Sequence, residues 1–201
     1  MKILLGNINL EVKDFGSKAD TPLVMISGFG SQLVDWPQNF IDKLVQNKIR
    51  VIIFDNRDVG LSHKFSGEII EDQKLIWRYS YSREKLSKEI KKPKIPYTLT
   101  DMANDCLNIL NALDIDKAHI LGTSMGGMIA QLVAFNHPDR CKSLISVMST
   151  SGNPELPRPS KKVIDGLTLQ PKSSRKEDVI RNNLMTENCG HHLNIRLQKK
   201  F

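Results

Sequence analysis

Apolar residues follow two alternating rhythms along this chain. Leu23-Val24-Met25-Ile26, Val51-Ile52-Ile53-Phe54, Ala118-His119-Ile120-Leu121 and Leu144-Ile145-Ser146-Val147-Met148 are short and almost unbroken. Such runs are what strands buried on both faces of a parallel sheet require. Between them the period lengthens. Met102, Cys106, Ile109, Leu110 and Leu113 recur on one helical face, behind Thr98-Leu99-Thr100-Asp101, which has the form of a capping box. Asp35-Trp36-Pro37 opens an earlier helix, with Pro37 suited to a first turn and Phe40, Leu44 and Val45 as its apolar face. A later one carries Met128, Leu132, Val133 and Phe135 on related faces and stops near Asn136-His137-Pro138. The pattern predicts parallel strands near 23–26, 51–54, 117–122 and 143–148, and helices near 37–47, 98–113 and 125–136.

The first fifteen residues differ. Ile3-Leu4-Leu5, the turn Gly6-Asn7, and then Ile8, Leu10 and Val12 alternating with polar residues predict an antiparallel hairpin with one wet face. The fold class is therefore α/β, with a mostly parallel sheet and an antiparallel N-terminal hairpin. Residues 63–96 carry Trp77, Tyr79, Tyr81 and the basic run Lys91-Lys92-Pro93-Lys94, and read as a surface insertion. The stretch 149–159 is proline-rich and irregular, and no buried-strand pattern recurs after residue 148. We expect residues 1–160 to form the body of the domain, and 161–201 to be either the start of a lid or a disordered, non-native basic tail. α/β units normally continue until the sheet is complete, so the fading pattern leads us to expect a truncated chain, the product of an interrupted reading frame.

Composition narrows the setting. The chain has 201 residues and a net charge of +7. Residues 158–201 hold ten Lys/Arg against four Asp/Glu, six of those seven net charges. A basic tail can bind nucleic acid, but no nucleic-acid motif accompanies it, so no nucleic-acid partner is expected. No run approaches a membrane span, and the N-terminal apolar run is too short for a signal peptide. Cys106, Cys141 and Cys189 show no paired or metal-ligand spacing and look like reduced thiols. The expectations are a cytoplasmic protein with no membrane partner, no metal and no cofactor.

One stretch carries chemistry. Gly122-Thr123-Ser124-Met125-Gly126 has the form G-x-S-x-G, with a strand before it and a helix after it. That setting is the nucleophile elbow, in which a strained turn lifts the serine hydroxyl above the sheet. Gly122 and Gly126 lack Cβ atoms, so strand and helix can approach closely. The helix beginning near Met125 aims free N–H groups and a positive dipole end at the same place. The bland alternative is a glycine-rich turn with an incidental serine.

Residues 1 to about 160 resemble the α/β-hydrolase superfamily. Ser27-Gly28-Phe29-Gly30, Asp55-Asn56-Arg57-Asp58-Val59-Gly60-Leu61-Ser62 and Gly122-Thr123-Ser124-Met125-Gly126-Gly127 fall in that family's order, each after a strand. Ser27 stands where its oxyanion loop usually has His, and Asp58 where its second motif has Gly. The nearest subgroup is the small esterases of the aclacinomycin methylesterase type. The resemblance implies a serine esterase acting on a small-molecule carboxylic ester. Ser124 would be the nucleophile, and the backbone N–H groups of Phe29 and Met125 the oxyanion hole. It also implies an acid and a histidine later in the chain. His63, His119, His137, His191, His192 and Glu155 are the residues available; His119 reads as a packed strand residue, and His137 lies roughly 18 Å along the helix from Ser124 at 1.5 Å per residue. Asp55, Arg57 and Asp58 are expected to stabilise their turn rather than react. Two other readings use the same motifs. One is a non-catalytic binding remnant, the other a cofactor-free perhydrolase or acyltransferase. An uncovered sheet edge would favour self-association.

Overall fold

A computed structural model describes residues 1–65 and 95–153, with 155–157, 160, 173, 175, 177 and 178. The chain divides into two compact units, Met1–Ile69 with Lys94–Asn153, and Ile70–Pro93 with Pro154–Phe201. The second is described at a few positions only, where Ser173 and Arg175 both donate to the Asp178 carboxylate.

The first unit is built on a six-stranded sheet. Its strands are β1 (Lys2–Leu5), β2 (Ile8–Phe15), β3 (Thr21–Ile26), β4 (Ile49–Phe54), β5 (Ala118–Thr123) and β6 (Cys141–Val147), in the order β1-β2-β4-β3-β5-β6. β4, β3, β5 and β6 are parallel, and the β1–β2 hairpin joins antiparallel through β2 on β4. The helices are α1 (Gln38–Gln46), α2 (Leu99–Ala112) and α3 (Met125–Asn136), with a short 3-10 turn at Leu33–Asp35. Every predicted strand and helix named above is present, and all the parallel strands run as expected.

The unbroken apolar runs divide between two layers because successive strand residues point to opposite faces. Val24, Ile26, Ile52, Phe54 and Ile120 pack with Met102, Cys106, Ile109 and Leu110 of α2 and Ile129, Ala130 and Val133 of α3. Their neighbours Leu23, Met25, Val51, Ile53 and Leu121 pack on the other face with Ile41 of α1 and Leu33. α2 starts as its sequence predicts. Thr98 Oγ1 accepts from the Asp101 N–H at 3.2 Å, and the Asp101 carboxylate accepts from the Thr98 N–H at 2.7 Å. The Thr98 hydroxyl also donates to that carboxylate at 2.7 Å, and this bond, with the one from the Thr98 N–H, holds the Asp101 carboxyl below the usual carboxylate range. Thr98→Ala is expected to lower stability by about 1 kcal/mol in urea unfolding, because it leaves an N-terminal N–H of the helix unpaired.

Two helix faces differ from the sequence reading. Phe135 is 83% exposed; Val133 is buried as expected, together with Ile129 and Ala130. Phe40 is also exposed, and Ile41 is the residue α1 buries. α3 is apolar on nearly every side, so the sheet rather than the period decides which side is covered; on α1 Phe40 sits at the rim of one apolar stripe whose Leu44 and Val45 pack on the core as expected. Cys106 is buried inside the α2 layer, and burial pushes its thiol up to about 12.

Candidate active site

Two chain reversals place the site. From β3 the chain crosses to β4 on one side, and from β4 it crosses back to β5 on the other. The loops leaving β3 and β5 therefore diverge, and a crevice opens at the C-terminal ends of those strands, where ligands of open α/β sheets bind. Ser27-Gly28 leaves β3 there, and Ser124 leaves β5.

Ser124 has φ 54° and ψ −120°, a conformation that a non-glycine residue adopts only when its surroundings impose it. Several constraints do so. Its N–H continues the β5–β6 ladder to the Val147 carbonyl at 2.9 Å. Its own carbonyl already accepts the Gly127 N–H at 3.0 Å, starting α3. A Cβ on Gly122 would overlap the Gly126 carbonyl, and one on Gly126 would overlap the carbonyls of Ile26 and Ser27. The two glycines thus let α3 begin directly against the ends of β5 and β3, and the serine between them is exposed.

The β3 loop reaches the same spot. A Cβ on Gly28 would lie 3.2 Å from the Ser124 Cβ and 3.8 Å from its Oγ. Beyond it, the Ser31 N–H donates to the Gly28 carbonyl at 3.3 Å, and Gly30 has φ +72°. That is the pattern of a type II turn, which needs positive φ at its third residue. No hydrogen bond from the N–H of Phe29 or of Met125 is found among the described residues.

The turn after β4 supports this crevice. Asp55 is buried and accepts the N–H groups of Leu33 at 2.7 Å and Leu61 at 2.9 Å. Ser62 Oγ donates to the Asp55 carbonyl and accepts the Glu11 N–H. Asp58 keeps the left-handed conformation that a glycine would have, with φ 63°. Its carboxylate accepts from the Phe65 N–H at 2.8 Å and the Tyr97 hydroxyl at 2.6 Å. Arg57 makes a two-pronged pair with Asp105, at 2.5 and 2.7 Å, and lies over the rings of Phe65 and Tyr97. The bond to Asp105 raises the Arg57 guanidinium further above its ordinary value. Asp55, Arg57 and Asp58 hold their turn, as expected. Asp105→Ala leaves a half-shielded guanidinium without its carboxylate. Because Arg57 keeps some solvent contact, we expect a loss of about 2 kcal/mol in urea unfolding, below the range for fully buried pairs.

Three of the candidate bases are placed elsewhere. His63 packs edge-to-face on Phe65, and its backbone N–H donates to the Asn9 carbonyl. His119 Nδ1 lies 2.6 Å from Ser143 Oγ between β5 and β6, a strand residue as predicted. His137 caps the far end of α3. Glu155 is exposed and belongs to the second unit. His191 and His192 lie outside the described residues, as do most of the surface insertion and most of the basic tail. Sequence reasoning missed Asn56, whose Nδ2 donates to the Ser27 carbonyl at 3.0 Å, and Asp105. Asp105 sits one residue before Cys106 on the buried face of a helix, and that position was the available signal.

No helix among the described residues is long and apolar enough to cross a membrane. The family model for the alpha/beta hydrolase fold matches residues 21–175. Rhodomycin D methylesterase DauP of Streptomyces sp. (strain C5) is 27% identical over 194 residues, covering 87% of this chain and 57% of its own length. Rhodomycin D methylesterase DnrP of Streptomyces peucetius is 26% identical over 189 residues, covering 85% and 55%. The chain thus spans little more than half the length of these curated relatives. Among solved structures, the enol-lactonase from Burkholderia xenovorans LB400 superposes with a TM-score of 0.59 at 16% identity, over 95% of this chain and 68% of that one. Epoxide hydrolase A from Mycobacterium thermoresistibile gives 0.54 at 18%, over 92% and 44%.

Proposed function

The chain belongs to the α/β-hydrolase family, and from that premise we propose that it is a serine hydrolase of carboxylic esters with Ser124 as the nucleophile. The observation that carries the reading is the forced backbone of Ser124 at the switch point of the sheet, with Gly28 against it. In this reading Ser124 Oγ bonds to the ester carbonyl carbon, and the carbonyl electron pair moves onto oxygen. The free N–H groups of Phe29 and Met125 hold that oxyanion. Its collapse expels the alkoxide, which leaves as the alcohol with the proton the serine gave up, and the acyl-enzyme that remains is then cleaved by water. One such donor is worth roughly 10²–10³ in rate. Aspartate at the elbow would suit an epoxide opening; serine suits acyl transfer.

The methylesterase relatives suggest a small-molecule ester as substrate. Residues 1–160 are assigned as the N-terminal part of the hydrolase domain, and 161–201 as lid or basic tail. Among the described residues no histidine is hydrogen-bonded to Ser124, so the serine proton has no described acceptor. Fluorophosphonate treatment followed by peptide mass spectrometry tests the assignment. Slow labelling confined to Ser124 is expected; no adduct there, or an adduct on another residue only, sinks it.

The edge beside the elbow bears on behaviour in solution. Among the described residues β6 pairs with β5 alone, and Leu144, Ile145 and Val147 are 37–41% exposed. A free edge with apolar faces promotes association. Sedimentation velocity should show oligomers that grow with concentration, and a single monomer peak across a hundredfold range would count against this.

A further inference from the structure

We infer that Asn56 is a positioning residue for the oxyanion hole, holding the Ser27–Gly28 peptide so that the N–H groups beyond it face Ser124. The inference rests on the reading of Ser124 as nucleophile. Asn56 and Ser27 are each 2% exposed, and Asn56 Nδ2 donates to the Ser27 carbonyl oxygen at 3.0 Å. On its other side that oxygen lies against α3, where a Cβ on Gly126 would come within 2.6 Å of it. The Ser27 carbonyl is therefore fixed between the end of β4 and the first turn of α3.

Peptide planarity carries this constraint forward. In a trans peptide the C=O and the following N–H point in opposite directions. A Ser27 carbonyl aimed into the protein turns the Gly28 N–H outward, and Gly28 is the residue in contact with Ser124. The Gly28 carbonyl is held in turn by the Ser31 N–H. The Phe29 N–H, in the same plane as that carbonyl, is left pointing away from the turn. Two successive carbonyls are thus anchored, the first by Asn56 and the second by the turn. Asp55 cannot take the place of Asn56, because its carboxylate accepts the N–H groups of Leu33 and Leu61. A carboxylate also has no proton to offer Ser27. The side chain here must be a donor, short, and buried.

Two variants of the full 201-residue chain test this. Asn56→Ala removes the donor, and Asn56→Asp sets a carboxylate against the Ser27 oxygen and favours a flipped peptide. The maximal rate of fluorophosphonate labelling at Ser124 should fall at least ~10-fold, and more in Asn56→Asp, with the half-saturating probe concentration within ~2-fold. In amide exchange, Ser31 protection should drop at least ~10-fold while that of Met25 and Ile53 in the sheet stays. A merely structural role predicts the reverse, loss of sheet protection with the labelling rate of the folded fraction unchanged. If Ser124 in the unsubstituted chain takes no label, the nucleophile reading fails and the inference with it. Label taken up equally by all three proteins, with Ser31 protection intact, overturns the inference alone.

Discussion

Ser124→Ala will remove the fluorophosphonate adduct while leaving stability within about 0.5 kcal/mol, the usual range for an exposed position. The substitution deletes one exposed oxygen and keeps the backbone, because alanine meets the same positive φ that serine does. The unsubstituted chain is itself expected to be slow. A serine without a base stays protonated and attacks poorly. In serine triads the loss of the base costs about a millionfold in kcat, and oxyanion stabilisation leaves roughly 10³-fold over water. p-Nitrophenyl acetate turnover should therefore lie near that floor. Fast turnover abolished by Ser124→Ala would mean that a base reaches the serine from outside the described residues, with His191 and His192 the first to test.

Gly126→Ala is expected to be a severely damaging single-methyl change, with a loss of about 3 kcal/mol or more in urea unfolding, as for overpacking against rigid backbone. The added carbon would overlap the Ile26 and Ser27 carbonyls, neither of which can rotate away. To relieve the overlap, α3 would have to lift off β3, which also moves the Met125 N–H. Labelling should therefore fall with stability. Gly30→Ala is the control. Nothing lies within 4 Å of a Cβ there, and only its φ of +72° opposes alanine, a penalty of roughly 1–2 kcal/mol. Equal losses at Gly126 and Gly30 would show that conformation, not close approach, sets the requirement for glycine.

The strands were readable because a doubly covered parallel strand must be apolar at every position, and Val24, Met25, Ile52 and Ile53 satisfy this without reference to anything distant. Thr98 and Asp101 announced the start of α2 for a similar reason, since a capping box is closed within four residues. The elbow was legible because Gly122, Ser124 and Gly126 are needed at fixed spacing by a turn that is local, although what the glycines make room for is not.

Tertiary structure decided everything that joins separate turns. Whether Phe135 or Ile129 faced inward depended on where the sheet lay. Asp105 became an ion-pair partner only once α2 passed beside the β4 turn and met Arg57, 48 residues earlier. Asp58, in a position where glycine was expected, keeps the turn because Phe65 and Tyr97 arrive to bond its carboxylate. Asn56 reads in the sequence as one more polar turn residue. It acquires a role because strand order sets β4 beside β3, bringing its amide to the Ser27 carbonyl. Local rules specify which elements form and where the strained serine turn sits. The alignment of the Ser27–Gly28 peptide beside Ser124 is set by a hydrogen bond between segments nearly thirty residues apart, and no pattern along the chain encodes a distance in space.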